Sequence, residues 1–304
     1  MIKLPPINDK ILTLHYKKQK KKYEDVLNEL NKASACPKIT NYFFSNGQLD
    51  ENKVKNVLTG NPAQLKLIVK KIGEIPTSCK STVQDKFLNL YDNFKDRSLG
   101  KSLCDDIGVK VCPYCNRSYI FTLKTDGVRP QYDHFYSKIH YPYLAVSLYN
   151  LIPSCSICNQ AKSDFDTYNK PFINPYTDEY GYDIFFETKF NGDISYLLGK
   201  NTNFELNINC DNASTEMQVK AQNSIRELHT RELYSKHKDY VRDIIRAKQI
   251  YTDEYMQNLL SQFPQIFDSI ADIQQMAYMN YLNKDQWGDR VLAKLTYDIV
   301  HELQ

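Results

Sequence analysis

The chain has 304 residues, eight cysteines and a formal charge of +3, enough length for one large domain or two small ones with a proper core. No stretch is apolar enough to span a bilayer, and the opening MIKLPPINDK is no signal peptide, so a cytoplasmic chain is expected. The small net charge hides a gradient: residues 1–105 carry 19 Lys+Arg against 11 Asp+Glu, residues 106–175 carry 7 against 5, and residues 176–304 carry 13 against 20. A basic front third can follow a phosphate backbone, although a solvated lysine-rich face has the same composition. The acidic rear is a poor nucleic-acid surface and suits packing or a protein partner.

Residues 10–105 read as helical. The basic cluster Lys17 to Lys22 enters a helix that carries Tyr23, Val26, Leu27 and Leu30 on one face. Asn61-Pro62 is an N-cap followed by proline at the first helical position, opening QLKLIVKKI, which Gly73 ends. Val83, Phe87, Leu90, Tyr91 and Phe94 give a further amphipathic helix. Residues 119–123 are β-branched and aromatic, Thr125-Asp126-Gly127 is a turn, and residues 128–135 return as the second strand. Residues 143–149 form a short helix or loop, 150–154 a brief strand, and a helix follows from about Ser156. In the rear, residues 185–190 and 194–198 read as a hairpin about Asn191-Gly192-Asp193, and residues 204–208 as a third strand. Residues 213–263 read as two helices with Ile225, Leu228, Tyr234, Val241, Ile244 and Ile245 buried, stopped by Pro264, and a last helix starts near Asp289. The expected class is α+β: a basic helical region (1–105), a small ββα-metal core (106–175), and a hairpin with C-terminal helices (176–304).

Chemistry concentrates between Cys112 and Lys162. Two Cys-x-x-Cys pairs, Cys112/Cys115 and Cys155/Cys158, supply the four thiolates of a closed structural zinc site. The gap between the pairs exceeds that of a zinc ribbon, so something is folded inside it. Cys36, Cys79, Cys104 and Cys210 are scattered, as in a reducing compartment. Inside the gap lie Asp133-His134 and Asn150, and Asn159 follows the last cysteine directly.

Cys-x-x-Cys, Asp-His, Asn-Leu, Cys-x-x-Cys-Asn and a lysine three residues later together resemble the zinc-stabilised branch of the HNH endonucleases, in a His-Asn-Asn version. The resemblance implies His134 as general base, Asp133 and Asn159 as ligands of a catalytic Mg²⁺ (or Mn²⁺), and Asn150 as the loop brace that orients the base. More narrowly, YDHFYSKIHYPYLAVSLYNLIPSCSICNQAK and the following INPYTDEYGYDIFFETKFNGDIS are similar to HNH subunits of Septu-type and retron-linked anti-phage systems. That likeness implies an ABC- or SMC-like ATPase partner, with the C-terminal helices as the contact region. The chain departs from the pattern at Ser137-Lys138 and Lys162-Ser163, and the basic first hundred residues have no place in it.

The implied reaction is phosphodiester hydrolysis of DNA rather than RNA. Neutral imidazole accepts a proton near physiological pH, and Asp133 and Asn159 offer the hard oxygens that Mg²⁺ prefers. Adjacent strand residues point to opposite faces, so a strand end or bulge must re-aim one member of the Asp133-His134 pair. Lys162, one helical turn from Asn159, and Lys138 are the expected phosphate contacts. The rival readings are a non-catalytic zinc-stabilised nucleic-acid-binding or adaptor subunit, and an RNase toxin built on the same centre.

Overall fold

The computed structural model describes residues 1–302 apart from 96–97, 124–127, 191 and 193. Among the described residues the fold is mixed: mostly helix, with small two-stranded antiparallel sheets. Two compact units are distinguished, one of Leu4–Val109 and Ile120–Thr177, the other of Met1–Lys3, Lys110–Tyr119 and Asp178–Gln304.

The first unit opens with α1 (Asp9–Lys32), capped by the Asn8 side chain and burying Tyr23, Leu27 and Leu30. Helix α2 (Pro37–Phe43) leads into a minimal hairpin, β1 (Phe44–Ser45) and β2 (Gln48–Leu49). Its turn, Asn46-Gly47, has φ of 51° and 74°, the double left-handed conformation that two-residue hairpins need and Asn-Gly adopts readily. Helix α3 (Glu51–Thr59) follows. Helix α4 (Pro62–Ile72) begins on the expected Asn61 cap, with Gln64 closing a capping box, and ends at Gly73 with φ 74°. Helix α5 (Lys80–Lys95) turns Val83, Phe87 and Phe94 inward, and α6 (Ser98–Asp106) completes the bundle.

Beyond the bundle come β3 (Gln131–His134), β4 (Leu151–Ser154) and α7 (Ser156–Lys162). The order strand, long loop, strand, helix is the expected one, but the pairing is not. β3 pairs with β4 (Asp133 opposite Ile152, His134 opposite Leu151), while residues 119–123 contribute only isolated bridges, Val111 to Tyr119 and Leu123 to Val128. Tyr119, Phe121 and Leu123 are exposed, so no apolar face holds that segment in a ladder. The turn expected at Thr125-Asp126-Gly127 lies outside the described residues.

In the second unit β5 (Phe185–Phe190) pairs with β6 (Phe204–Asn209), not with residues 194–198, which form a 3₁₀ turn. Phe204, Leu206 and Ile208 alternate with polar residues and bury one face; ISYLL has no such period and leaves Ile194 and Leu198 exposed. Asn191 and Asp193 of the expected turn lie outside the described residues. Residues 213–263 form four helices rather than two: α8 (Thr215–Glu227), α9 (Thr230–Tyr234), α10 (Lys238–Ile250) and α11 (Asp253–Gln262). The breaks fall where His229 turns left-handed (φ 50°) and where Thr252 starts a new helix by accepting from the Tyr255 N–H. An unexpected α12 (Ile270–Tyr278) carries its own capping box, and α13 (Ala293–Glu302) begins later than Asp289. Helix α13 contributes a buried pair, Lys294 with Asp298, and Asp298 also accepts from the Phe186 N–H at 2.9 Å.

Candidate active site

The cysteine pairs sit in turns built to present sulfur. Around the first pair, the Cys112 N–H bonds the Ser118 carbonyl at 2.9 Å, the Asn116 N–H bonds the Cys112 carbonyl at 2.8 Å, and the Arg117 N–H points at the Cys115 sulfur at 3.4 Å. Asn116 takes φ 50° to make this turn; its amide donates to the Trp287 and Arg290 carbonyls and accepts from the Lys294 N–H. Cys155 is the N-cap of α7 and its sulfur accepts from the Cys158 N–H at 3.5 Å. The Sγ atoms of Cys112, Cys115, Cys155 and Cys158 all lie within 4.8 Å of one another. Four sulfurs about 2.3 Å from one ion in a tetrahedron stand roughly 3.8 Å apart, so the cluster is compatible with a zinc ion.

Asp133, His134, Lys138 and Asn159 line one polar cleft of about 480 Å³. Asp133 and His134 both reach it although adjacent, because His134 is the last residue of β3 and the chain leaves the sheet there. The His134 Nε2 donates to the Ala145 carbonyl at 2.9 Å, which leaves Nδ1 as the nitrogen with the lone pair. The Tyr91 ring of α5 packs edge-on to the imidazole at 4.5 Å. Burial, aided by the positive charge of Lys138, lowers the His134 pKa to about 3, against the opposing pull of the Ala145 carbonyl. Asn159 donates its amide N–H to the Gln131 side-chain oxygen at 2.7 Å, which fixes the orientation of the amide and of its acceptor oxygen.

Asn150 is fully buried and makes no bond to the imidazole. Its oxygen accepts from the Tyr136 N–H at 2.7 Å, and its NH₂ donates to the Tyr136 and Leu144 carbonyls at 3.1 Å each. It holds both ends of the loop between β3 and β4. Four successive carbonyls of that loop each take a side-chain donor: Tyr143 from the Tyr23 hydroxyl, Leu144 from Asn150, Ala145 from His134 and Val146 from His15. Sequence reasoning missed His15 and Tyr23. They lie eight residues apart on α1, on one face, and only their common helical phase hinted that they work together.

Lys162 is placed differently from the expected phosphate contact. Its side chain is fully buried, with Nζ 3.1 Å from Asp133 and 2.8 Å from the His134 carbonyl. A charge so enclosed has no path to a phosphate; it pairs with Asp133 and holds the His134 backbone carbonyl. Lys138, by contrast, lines the cleft with its ammonium 4.9 Å above the Tyr91 ring, and burial lowers its pKa. Lys95 and Arg129 line the same cleft and were not anticipated, being outside every motif.

A 67-residue stretch of this chain is 37% identical to the Septu protein PtuB of Bacillus thuringiensis, covering 22% of this chain and 24% of that protein. The matching part therefore spans about a quarter of the length of that relative. No protein-family model and no solved structure matches. No helix among the described residues is long and apolar enough to cross a membrane.

Proposed function

We propose that this chain is a metal-dependent HNH-type endonuclease that hydrolyses DNA, held together by a structural zinc ion, and that it serves in anti-phage defence. The observation that carries the reading is the cleft in which Asp133, His134 and Asn159 meet, with the base tethered by a backbone carbonyl. The defence role rests on the partial similarity to a Septu protein. An ABC- or SMC-like ATPase is the partner this reading expects, with DNA rather than RNA as substrate. The three-part division at about residues 105 and 175 belongs to the same proposal.

His134 Nδ1 takes the proton of a water aligned with the scissile phosphorus, and the resulting hydroxide attacks as the bond to the 3′ oxygen breaks. The Ala145 carbonyl keeps the ring from rotating and accepts more strongly once the imidazolium forms. Burial opposes that positive charge; an incoming phosphate, being anionic, offsets the opposition and raises proton affinity when it is needed. Asp133 and Asn159 present hard oxygens, a donor set that fits Mg²⁺ completed by water and phosphate. When bound there, the ion supplies Lewis-acid stabilisation to the phosphate and its departing oxygen. Lys162 matches the charge of Asp133 beforehand and keeps its carboxylate facing the cleft. Asn150 and the α1 side chains brace the loop that supplies the Ala145 carbonyl.

The test is incubation of the full chain, alone and with its ATPase partner, with plasmid DNA and total RNA, with and without Mg²⁺. Cleavage of DNA that needs Mg²⁺ and drops about 10²–10⁴-fold in His134→Ala, with zinc content and melting temperature unchanged, is expected. Full activity in His134→Ala would overturn the assignment.

A further inference from the structure

We propose that the N-terminal helical region supplies one wall of a polynucleotide-binding cleft, in which Lys95, Arg129 and Lys138 form a cationic arch for phosphates flanking the scissile one. The inference rests on the nuclease reading and extends it to how the substrate is held. The three residues come from separate segments: Lys95 ends α5, Arg129 precedes β3, and Lys138 lies in the loop after β3. All line the cleft that also holds Asp133, His134 and Asn159.

The arch is built rather than incidental. The Arg129 Nε donates to the Lys95 carbonyl at 2.9 Å and Nη1 donates to the Pro130 carbonyl at 3.0 Å, with the guanidinium 5.5 Å above the Tyr132 ring. Two backbone bonds and a stacked ring hold the planar fork in one orientation, which lowers the ordering cost of binding an anion. Lys138 stands over Tyr91, and Lys95 stands 5.7 Å from the same ring, so one aromatic side chain supports two cations.

Asp133 pairs with buried Lys162, and Asp164 is the other carboxylate among the described residues that line the cleft with Lys95, Arg129 and Lys138. Asp92 pairs with Lys95 at 2.5 Å; that pair is partly exposed and therefore weak, and yields to a phosphate. Cations gathered at one cleft repel one another, and an anion relieves the repulsion. Cations from three further positions fit a strand that continues past the reacting phosphate.

The experiment uses the full-length chain carrying His134→Ala, so that bound DNA is not cut, and a fluorescein-labelled single-stranded DNA 20-mer followed by anisotropy across a salt series. Losing one phosphate contact removes about 0.7–0.9 from the slope of log K against log salt, which is about five- to eightfold in affinity at 0.1 M. Lys95→Gln and Arg129→Gln should each show this loss and the double variant about twice it. Arg129→Lys, which keeps the charge, should retain most of the slope. Lys17→Gln/Lys21→Gln, in the basic cluster of α1, should leave it unchanged. If Arg129→Gln melts lower than its parent, Lys95→Gln, at an exposed helix end, decides the matter alone. Binding whose slope is indifferent to Lys95→Gln, or falls equally with Lys17→Gln/Lys21→Gln, overturns the arch and leaves the nuclease reading standing. Absence of DNA binding also overturns the arch, and the separate comparison of wild type with His134→Ala in the cleavage assay shows whether the nuclease reading falls with it.

Discussion

Lys162→Met separates two roles that the same lysine cannot fill together. Its Nζ lies 3.1 Å from each carboxylate oxygen of Asp133 and 2.8 Å from the His134 carbonyl, and the two side chains are 0% and 2% exposed. Methionine matches the length of the lysine stem but deprives the buried carboxylate of its ion-pair partner, which costs about 3–5 kcal/mol. In a unit of this size each kcal/mol shifts the melting temperature by about 2–4 °C, so a drop on the order of 6–20 °C is expected in thermal unfolding. Asp133→Asn removes the other charge, so the double variant should recover much of the loss, with a coupling energy of about 2–3 kcal/mol. The salt dependence of DNA binding should be unchanged in Lys162→Met, because an enclosed ammonium releases no counterions. A variant that melts within about 2 °C of wild type while losing about one unit of salt slope would refute the buried pair. It would return Lys162 to the role of phosphate contact.

Further outcomes follow from the other parts of the site. Protein purified without chelator should carry one zinc per chain; Cys115→Ser should lower zinc content, soluble yield and melting temperature together, and a metal analysis without zinc would rule the site out. Asn150→Ala strands one buried N–H and a buried carbonyl at Tyr136, at about 1 kcal/mol or more each, while the Leu144 carbonyl keeps the Ser147 N–H, so denaturant unfolding should register a loss of about 2 kcal/mol or more; a loss under about 1 kcal/mol would show that the loop is held elsewhere. As the proposed base His134 must be neutral, and burial lowers its pKa to about 3 in the free protein, so kcat/KM for cleavage falls only as pH drops towards that value rather than through 6.5. A pH–rate profile with an acid limb near 6.5 would show an ordinary, solvated imidazole.

Local features of the fold were legible and distant pairings were not. The Asn61 cap, the stop at Gly73 and the inward stripe of α5 are decided within a few residues, and the structure bears them out. The partner of each strand depends on which faces become buried, and here the neighbour in sequence was the wrong choice twice. Tyr119, Phe121 and Leu123 expose their side chains and that segment leaves β3 to β4, while residues 194–198 lack the alternation that lets β6 pair with β5. In the candidate site the residues singled out by the motif, Asp133, His134 and Asn159, line one cleft. Helical spacing put Lys162 near Asn159 correctly but could not say that its ammonium turns inward. Whether a lysine four carbons long reaches solvent or a buried carboxylate depends on what packs above it, and Asp133 is 29 residues away.

The run of gripped carbonyls explains why the basic first hundred residues belong with the site although no motif reaches them. The loop residues Tyr143, Leu144, Ala145 and Val146 are wholly buried, and a buried carbonyl without a donor is costly. Within the loop the Ser147 N–H bonds the Leu144 carbonyl at 3.1 Å, and side chains supply a donor to all four. Two of the four donors, His15 and Tyr23, come from α1, across separations of 131 and 120 residues. The other two are Asn150 and His134 itself. The imidazole is thus oriented by the same requirement that satisfies the loop backbone, and its angle is fixed only while the neighbouring carbonyls stay gripped. A chain lacking α1 would keep the motif from Cys112 to Lys162 and lose the donors on either side of the carbonyl that holds the base. On the proposed reading the segment from Cys112 to Lys162 is therefore not sufficient by itself; helices α1 and α5 complete the site, one by bracing the loop and the other by walling the cleft.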